Sequence, residues 1–376
     1  MGKQANGRDP NISKASPKIE IAQILEAHRG EYHVIVLHDF PDPDAIASGF
    51  AHQVICAAFD IQTDILYGGR ISHEQNIALV HMLGLDLHAF EGKLPKKYDA
   101  AVFVDNQGAN AMDLVKALKA EEIETLLIVD HHEPQELLQP QYSDIRPVGS
   151  TSTIYVSYLN EEEIFKLDQS NTQLTKMATA LMHGLISDTS NFVYAKKEDF
   201  RAAAILSDFV DSEILSQILT QARSKQVMET IYQSLANHLV VENYSIAGIG
   251  YLRAQDRDAI PQAADFLLAD FLLTEANVHT AIIYGIVALD DGEESLVGSL
   301  RTNKITIDPD EFVKDVFGKD AEGNYYGGGK LSAAGFEIPI GFLSGHNQED
   351  YKDLKWQVYD SQVKHRLFDR IGIQED

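Results

Sequence analysis

The sequence predicts an α/β protein in which a domain built on a parallel sheet is followed by a connecting helix and a smaller α+β domain. Two patterns predict this class. In the first half of the chain, short apolar segments alternate with longer helical segments, as they do when helices cover both faces of a parallel sheet. Helical patterns dominate after residue 150, and strand patterns return from about residue 240. A chain of 376 residues is long enough for two such domains.

Four segments of the first half have the continuous apolar pattern of buried parallel strands. They are HVIVL (33–37), IQTDILYG (61–68), YDAAVFV (98–104) and TLLIV (125–129). The segments between them have helical patterns, and SHEQ (72–75) has the Ser-x-x-Gln form of a capping box. We therefore expect a helix to begin at SHEQ.

The changes in pattern also give the expected domain boundaries. The polar residues 1–25 predict a flexible leader, and residues 26–210 predict the parallel-sheet domain. Residues 211–237 predict a linker helix that leads to the second domain, residues 238–345. The last segment, residues 346–376, predicts an amphipathic tail helix. Such a helix could dock on either domain or on a second copy of the chain, so a homodimer is possible.

Composition argues against several classes of protein. No continuous apolar stretch approaches the roughly 18 residues of a membrane span, and the polar N-terminus lacks a signal-peptide core. The single cysteine, Cys56, allows no intramolecular disulfide, which fits a reducing cytoplasm. The chain has 57 acidic and 31 basic residues and no dense Lys/Arg run, so we expect no long nucleic acid partner. The composition therefore favours a cytoplasmic protein whose anionic ligand, if it has one, is small.

Acidic and histidine side chains follow three of the predicted strands and one predicted helix. They are His38, Asp42 and Asp44, then Asp105, then Asp130, His131 and His132, and finally Asp188. Each motif alone is equally well explained as a solvated turn or a helix cap. Because the carboxyl ends of parallel strands meet at one edge of a sheet, we expect these side chains to converge there. Their convergence favours a metal site.

The ligand types restrict the choice of metal. Carboxylate oxygens with two imidazoles and no thiolate favour Mn²⁺, with Mg²⁺, Co²⁺ and Zn²⁺ less favoured. The candidate ligands exceed what one ion with open positions needs, so we expect two cations about 3.5–4 Å apart that share a carboxylate. Such a pair activates water for attack on a phosphoryl centre. The residues therefore predict a hydrolase that acts on phosphoesters.

The ordered segments HDFPDPDAIASG, VFVDNQ, IVDHHEP and GLISDTSNF closely resemble the four motifs of the DHH phosphoesterase family. The later segments GSLRTN and GGGKLSAAGF resemble the DHH-associated domain that follows in many members. The resemblance spans about residues 30–345. It is strongest to the subgroup of oligoribonuclease/pAp phosphatases and phosphodiesterases of cyclic di-AMP and pApA.

The resemblance implies two sets of metal ligands. They are His38, Asp42 and Asp105 for one manganese ion, and Asp44, Asp105, His131 and Asp188 for the other. Asp105 would be the bridging carboxylate. The resemblance further implies that His132 faces the substrate phosphate and that Asp130 orients a histidine. Asp39, in the same cluster of charges, has no role in the motif.

The resemblance also implies a substrate-binding role for residues of the second domain. Arg301 would pair with phosphate or stack on a base, and Gly327, Gly328 and Gly329 would let the backbone approach a nucleotide. A flexible turn explains the glycines equally well. Lys330 stands where the family pattern has a histidine, and this leaves the contacts to the substrate open.

The sequence thus predicts a manganese-dependent, nucleotide-binding phosphodiesterase or phosphatase that acts on pApA, nanoRNA, pAp or cyclic di-AMP. Two alternatives stay open: a non-catalytic nucleotide-binding regulatory protein on the same fold, and a RecJ-like single-strand exonuclease. The acidity of the chain argues against the exonuclease. An inorganic pyrophosphatase or polyphosphatase is disfavoured by GSLRTN, because those relatives have a different second domain. The physiological substrate, the cellular metal and the oligomeric state cannot be predicted from the sequence.

Overall fold

The computed structural model describes residues 21–71, 73–159, 171–268, 278–288, 292–330, 332–345 and 349–372. The chain divides into two units, Met1–Gln221 and Ala222–Asp376. Each unit has a six-stranded sheet with helices packed against it, so the predicted α/β class is confirmed. Within the described ranges, no helix combines the length and apolarity that crossing a membrane would require.

The first unit is built on a sheet of parallel strands in the order β3-β2-β1-β4-β5-β6. The strands are β1 Tyr32–Val36, β2 Gln62–Tyr67, β3 Leu87–Ala89, β4 Ala100–Val104, β5 Thr125–Asp130 and β6 Tyr142–Ile145. The four strands expected from the sequence are β1, β2, β4 and β5. The edge strands β3 and β6 were not expected, because they are short, partly exposed and lack a continuous apolar pattern.

The winding of the chain reverses between β1 and β4. From β1 the chain moves outward through β2 and β3, and it then returns to place β4 on the other side of β1. In open parallel sheets, ligands bind outside the carboxyl ends of the strands at such a reversal. This topology places the segments that follow β1 and β4 next to each other.

The helices of the first unit cover both faces of its sheet. They are α1 Ile21–Ala27, α2 Pro43–Ala58, α3 Glu74–Leu83, α4 Met112–Ala120, α5 Thr151–Leu159, α6 Thr172–Asp188, α7 Lys197–Leu206 and α8 Ser212–Leu219. Successive strand residues point to opposite faces, so Ile35 belongs to the core with α2, α5 and α6, and Val34 to the core with α4.

The second unit is built on a mixed sheet in the order β11-β12-β10-β9-β8-β7. Its elements are α9 Lys225–Asn237, β7 His238–Val241, β8 Tyr244–Arg253, α10 Ala259–Phe266, β9 Thr280–Ala288, β10 Glu294–Thr302, α11 Pro309–Phe317, β11 Gly327–Lys330, β12 Ala333–Pro339 and α12 Glu349–Ile371. Strand β8 pairs with β9 in parallel, and the other described pairs are antiparallel. Helices α9 and α10 share one core, and α11 and α12 share the other.

The predicted leader, residues 1–25, overlaps helix α1. Ile21, Ile24 and Leu25 are buried in the core of the first unit, so this end of the leader is part of the fold. The pattern is hard to recognise because only seven residues are helical. Residues 1–20 lie outside the described residues.

The helix expected at SHEQ begins one residue further along than a capping serine would place it. His73 is the N-cap of α3, and its Nδ1 accepts a hydrogen bond from the Gln75 N–H over 3.3 Å. Ser72 lies outside the described residues. The helix itself is present, and an imidazole nitrogen serves as its cap.

The predicted linker helix, residues 211–237, is two helices, α8 and α9. Helix α9 starts after Ser224, whose hydroxyl accepts a hydrogen bond from the Val227 N–H over 3.2 Å. Ile218 of α8 is buried in the first unit, whereas Val227 and Ile231 of α9 are buried in the second. The sequence pattern of residues 211–237 is helical throughout, so it does not show that α8 packs in the first unit and α9 in the second.

Candidate metal centre

The predicted metal ligands come from the ends of three strands and two helices of the first unit. They are His38, Asp42, Asp44, Asp105, His131 and Asp188. Asp42 caps helix α2 by accepting a hydrogen bond at Oδ1 from the Ala45 N–H over 2.9 Å, and Pro43 occupies the first helical position. Asp44 follows in the first turn of α2, and its side chain is fully buried there.

Two groups of three side chains each bring their ligand atoms within 4.8 Å of one another. These groups are His38, Asp42 and Asp105, and Asp44, His131 and Asp188, and a third group of the same kind joins Asp105 and His131 to His132. His131 Nε2 lies 3.1 Å from Asp188 Oδ2 and 3.6 Å from Asp105 Oδ1. Asp105 therefore belongs to the first group and lies beside the second.

The backbone holds Asp105 in an uncommon conformation directly after β4. Its φ of 57° lies in the left-handed region, which residues other than glycine rarely adopt. The next residue, Asn106, donates from Nδ2 to the carbonyls of Val36 (2.9 Å) and Val104 (3.0 Å). These bonds join the ends of β1 and β4 and fix the point from which the Asp105 side chain projects.

The first turn of helix α5 holds the carboxylates of Asp44 and Asp105. Asp44 accepts hydrogen bonds from the N–H groups of Thr151 (2.6 Å) and Ser152 (2.8 Å) and a short one from the Ser152 hydroxyl. The Thr151 hydroxyl donates to Asp105 Oδ1 over 2.8 Å. Neither residue was predicted from the sequence. The hydroxyl-rich run STST, residues 150–153 after β6, was the available signal.

The turn before α5 is in turn fixed by Asp199. Asp199 is fully buried and accepts hydrogen bonds from the Gly149 N–H (3.0 Å), the Thr153 hydroxyl (2.7 Å) and the Lys196 N–H (2.7 Å). A Cβ atom at Gly149 would lie 2.3 Å from Asp199 Oδ2, so this position requires glycine. Asp199 thereby positions the helix that positions the candidate ligands.

Asp130 orients His132. Its Oδ1 lies 2.8 Å from His132 Nδ1 and accepts from the His131 N–H over 2.8 Å, and its Oδ2 accepts from Gln107 Nε2 over 2.7 Å. Asp130 is buried, whereas the His132 side chain is 42% exposed. The arrangement leaves the second ring nitrogen of His132, Nε2, for a group outside this network. Gln107 was not predicted from the sequence, although it belongs to VFVDNQ.

The buried carboxylates of the candidate metal centre repel one another, and burial further disfavours their charged forms. Burial, together with Asp188, raises the pKa of Asp44 to about 7. Burial, followed by repulsion from Asp44, raises the pKa of Asp105 well above its usual range. Burial lowers the pKa of His131, but the carboxylates of Asp188 and Asp44 outweigh this effect and raise it to about 9. Protons or cations must therefore balance the charge of the cluster.

The side chains of the cluster fit divalent transition metal ions. Asp105 Oδ2 and His131 Nε2 are buried and have no hydrogen-bond partner among the described residues. Groups of this kind are satisfied by a cation, and oxygen with imidazole nitrogen is a ligand set suited to Mn²⁺. The structure thus brings together two groups of side chains that could hold cations, one that contains Asp105 and one that lies beside it.

Asp39 lies outside these ligand groups. Its N–H donates to the Asn110 carbonyl over 2.8 Å, and its side chain lies against Gly68. A Cβ atom at Gly68 would overlap Asp39 Oδ1 at 2.0 Å. Asp39 thus packs on the loop after β2 and serves as an internal comparison for its acidic neighbours.

The turn after Asp188 has an unusual backbone. Three successive residues other than glycine have left-handed φ values, namely Ser190 (49°), Asn191 (56°) and Phe192 (67°). The turn is closed by the Tyr194 N–H, which donates to the Thr189 carbonyl over 3.0 Å. Val193 and Tyr194 are each 73% exposed. The turn therefore presents two apolar side chains to solvent, a few positions along the chain from the candidate ligand Asp188.

Arg301 lies on β10 of the second unit, in an open groove of about 680 Å³. Its Nη1 donates to the Ser299 hydroxyl (2.7 Å) and the Leu300 carbonyl (3.1 Å), and its Nε donates to Asp265 Oδ1 (2.5 Å). These contacts fix the plane of the guanidinium. Gly328 and Gly329 line the same groove, which has the size of a small-molecule site.

The three glycines Gly327, Gly328 and Gly329 form the edge strand β11, which ends at Lys330. The flexible-turn interpretation is therefore wrong. A Cβ atom would lie 2.3 Å from Val313 Cγ1 at Gly327 and 2.6 Å from the Ala333 carbonyl at Gly329, so close packing of β11 requires glycine at both. Gly328 is less constrained, since its nearest neighbour would be at 3.2 Å.

Comparison with known sequences gives a match to one family domain and matches to individual proteins, among them one archaeal and one streptococcal protein. Residues 33–185 match the DHH family, N-terminal domain. An uncharacterized protein of Methanocaldococcus jannaschii, MJ1633, is 32% identical over 346 residues, which are 91% of this chain and 65% of that protein. A probable manganese-dependent inorganic pyrophosphatase of Streptococcus equi subsp. zooepidemicus is 30% identical over 157 residues, which are 40% of this chain and 46% of that protein.

Comparison with solved structures gives a match to the whole fold. An exopolyphosphatase-related protein from Bacteroides fragilis superposes with a TM-score of 0.63 over 94% of this chain and 99% of that chain. The two are 18% identical, so the likeness shows a shared fold. The chain spans about two thirds of the length of the archaeal relative and less than half of the streptococcal one. The matched segment, residues 33–185, contains all the candidate ligands except Asp188, which lies just beyond it.

Proposed function

The chain carries a DHH-family domain, and on this premise we propose that the protein is a metal-dependent phosphoesterase of small nucleotides or short oligonucleotides. The proposed substrates are pApA, nanoRNA, pAp and cyclic di-AMP, and the proposed compartment is the cytoplasm. The observation that carries the proposal is the pair of ligand groups on either side of Asp105. Two-metal hydrolysis of phosphoesters requires a site of this kind.

We propose that the site takes two divalent cations, with Mn²⁺ preferred over Mg²⁺ and Co²⁺. One would be held by His38, Asp42 and Asp105, and the other by Asp44, Asp105, His131 and Asp188. Bound there, the cations would lower the pKa of a water nucleophile and neutralise charge on the phosphoryl oxygens. The oxygen and imidazole ligands support Mn²⁺, as does the manganese dependence in the name of the streptococcal relative.

His132 is proposed to contact the substrate phosphate. Burial acts to raise the pKa of Asp130, but the hydrogen bonds from His132 and Gln107 lower it, so the carboxylate stays ionised. An ionised Asp130 accepts a hydrogen bond from Nδ1 and keeps the Nε2 atom of His132 directed away from the core. His132 can then contact a phosphate oxygen through Nε2.

The nucleotide part of the proposal rests on three features. The chain carries a net charge of −26, so a small anion with locally matched charge is a more suitable substrate than long nucleic acid. The exposed Tyr194 and Val193 follow Asp188 closely in the chain and offer an apolar surface for a base. In the second unit, Arg301 is held in a groove with room for part of a nucleotide.

Inorganic pyrophosphate is the second candidate substrate. The streptococcal relative named as a pyrophosphatase is 30% identical over 40% of this chain. Pyrophosphate has no base or sugar, so it would leave the exposed Tyr194 without a role. This feature makes the nucleotide the preferred candidate.

The proposal is tested by a cleavage panel in Mn²⁺ with pApA, pAp, cyclic di-AMP, a short RNA and pyrophosphate, with each product identified by chromatography. We expect release of mononucleotide from pApA or the short RNA at a rate well above that of pyrophosphate cleavage. Asp39→Asn is the matched control, because Asp39 is acidic and adjacent but lies outside the ligand groups. No turnover of any substrate, with nucleotide binding retained in calorimetry, would favour the non-catalytic alternative.

A further inference from the structure

His28, Glu31 and His33 form a second cluster of possible metal ligands, at the start of β1. Their three ligand atoms lie within 4.8 Å of one another. Glu31 Oε2 lies 2.8 Å from His28 Nδ1 and 2.9 Å from His33 Nε2. We propose that these three side chains bind a Zn²⁺ ion, at a site separate from the candidate metal centre.

The local backbone brings these ligands together. The turn between α1 and β1 is closed by the His28 N–H, which donates to the Leu25 carbonyl (3.1 Å), and by the Glu31 N–H, which donates to the His28 carbonyl (3.2 Å). Gly30 has a φ of 86°, a conformation that favours glycine. The turn thus holds His28 and Glu31 close to His33, so the three ligand atoms are already close to one another before an ion binds.

The ligand set is that of a zinc site with three protein ligands. Two imidazoles and one carboxylate bind Zn²⁺ with a fourth position left for water or another ligand. The side chains of His28 and Glu31 are 21% and 34% exposed, so an ion can reach them from solvent.

Hydrogen bonding alone is the alternative explanation of the cluster, since one oxygen of Glu31 can accept from both rings. The atoms that meet at this oxygen are His28 Nδ1 and His33 Nε2, and the His33 side chain is fully buried. A zinc ion at this point would receive an electron pair from each imidazole and from the carboxylate, and it would tie the end of α1 to β1.

The test is the number of Zn²⁺ equivalents that the full chain retains after dialysis, measured by elemental analysis. We expect His28→Ala and Glu31→Gln each to retain one equivalent fewer than the unmodified protein. Glu31→Gln keeps the size and hydrogen-bonding capacity of the side chain, so it preserves a hydrogen-bonded trio and removes a charged ligand. Circular dichroism establishes that both variants are folded.

His88→Ala is the matched control, because His88 is 48% exposed and belongs to none of the ligand groups of the described residues. It should retain as much zinc as the unmodified protein. Equal zinc content in all four proteins would overturn the proposal. Manganese-dependent hydrolysis should be unchanged in His28→Ala and Glu31→Gln, so failure of the zinc proposal leaves the proposed function untouched.

Discussion

The hydroxyl of Thr151 donates a 2.8 Å hydrogen bond to Oδ1 of Asp105. The backbone N–H of the same residue donates to Asp44 Oδ2 over 2.6 Å. One residue at the start of α5 therefore orients a carboxylate from each of the two ligand groups. Contacts of this kind fix the geometry of metal-ligating carboxylates and tune their affinity.

Replacing Thr151 by valine should weaken metal binding. Thr151→Val keeps the branched shape and removes the hydroxyl, so Asp105 loses its fixed orientation. We expect the affinity for Mn²⁺, measured by calorimetry, to fall about 10- to 100-fold. Thr151→Ser keeps a hydroxyl and should bind nearly as well as the unmodified protein. Equal affinities in the two variants would contradict this role.

Replacing Asp130 by asparagine should reduce turnover without removing metal. The amide can still accept a hydrogen bond, but it lacks the negative charge that holds the His132 ring in place through Nδ1, so we expect kcat to fall about 100-fold or more. Metal content should be unchanged, because an asparagine oxygen can still accept the hydrogen bond that the His131 N–H donates to Asp130, and the other side-chain contacts of Asp130 are to His132 and Gln107. The exposed Glu136→Gln is the control. Loss of metal in Asp130→Asn would show that Asp130 acts on the ligands instead.

Gly184 of α6 marks a close contact between α6 and the Asp44 backbone. A Cβ atom there would lie 2.6 Å from Ser152 Oγ and 2.9 Å from Asp44 Cα. We expect Gly184→Ala to lower the free energy of unfolding by about 1–3 kcal/mol, as measured in urea. Gly335→Ala, whose nearest neighbour is at 3.7 Å, should change stability far less. A stable Gly184→Ala with intact metal affinity would argue against the tight packing.

The stability of the metal-free protein should fall as pH rises from 7 to 9, above the range in which the buried His52 and His183, with pKa values lowered to about 3 and about 4, act in the opposite direction. The pKa of Asp44, about 7 in the folded state, exceeds its ordinary value of 3.8. Its stabilising contribution is therefore present below pH 3.8 and is lost as pH rises through 7. The pKa of His131, about 9, acts in the same direction at higher pH.

Mn²⁺ should reverse this trend, because it replaces the protons of the cluster. The increase in Tm that Mn²⁺ produces over EDTA should thus grow between pH 5 and 8, and binding should release protons in calorimetry. A Tm in EDTA that is constant or rises between pH 7 and 9 would contradict the assignment of the excess charge to the cluster.

Removing the Tyr194 ring should affect substrates that carry a base. If a base stacks on this exposed ring, Tyr194→Ala should raise KM for pApA by about 5- to 100-fold, since stacking contributes roughly 1–3 kcal/mol. Cleavage of bis(p-nitrophenyl) phosphate at saturating Mn²⁺ serves to show that the metal centre is intact in this variant. Tyr232→Ala is the control, because Tyr232 is also an exposed tyrosine but lies in helix α9 of the second unit. An unchanged KM for pApA would remove Tyr194 from the substrate site.

The convergence of the candidate ligands was predictable because it follows from strand order. His38, Asp105 and His131 come after strands whose apolar pattern is continuous, and parallel strands end at one edge of a sheet. Their positions could be inferred without any knowledge of side-chain contacts. The same reasoning predicted β1, β4 and β5.

The residues that orient the ligands could not be predicted in this way. Thr151 and Ser152 contact carboxylates that lie 46 to 108 positions away in the chain. A hydroxyl at the start of a helix is ordinarily a cap, so local sequence gives no reason to assign it to a distant carboxylate. The break at Ser224 was missed for a related reason, since the packing partner of a helix is not encoded in its periodicity.

The most direct test of the central claim compares the unmodified protein with Asp105→Ala in Mn²⁺, with pApA as substrate. The central claim is that Asp105 joins two ligand groups into one centre for phosphoester hydrolysis. The account predicts steady release of AMP by the unmodified protein and none above background by a folded Asp105→Ala. Undiminished AMP release by Asp105→Ala would contradict the account.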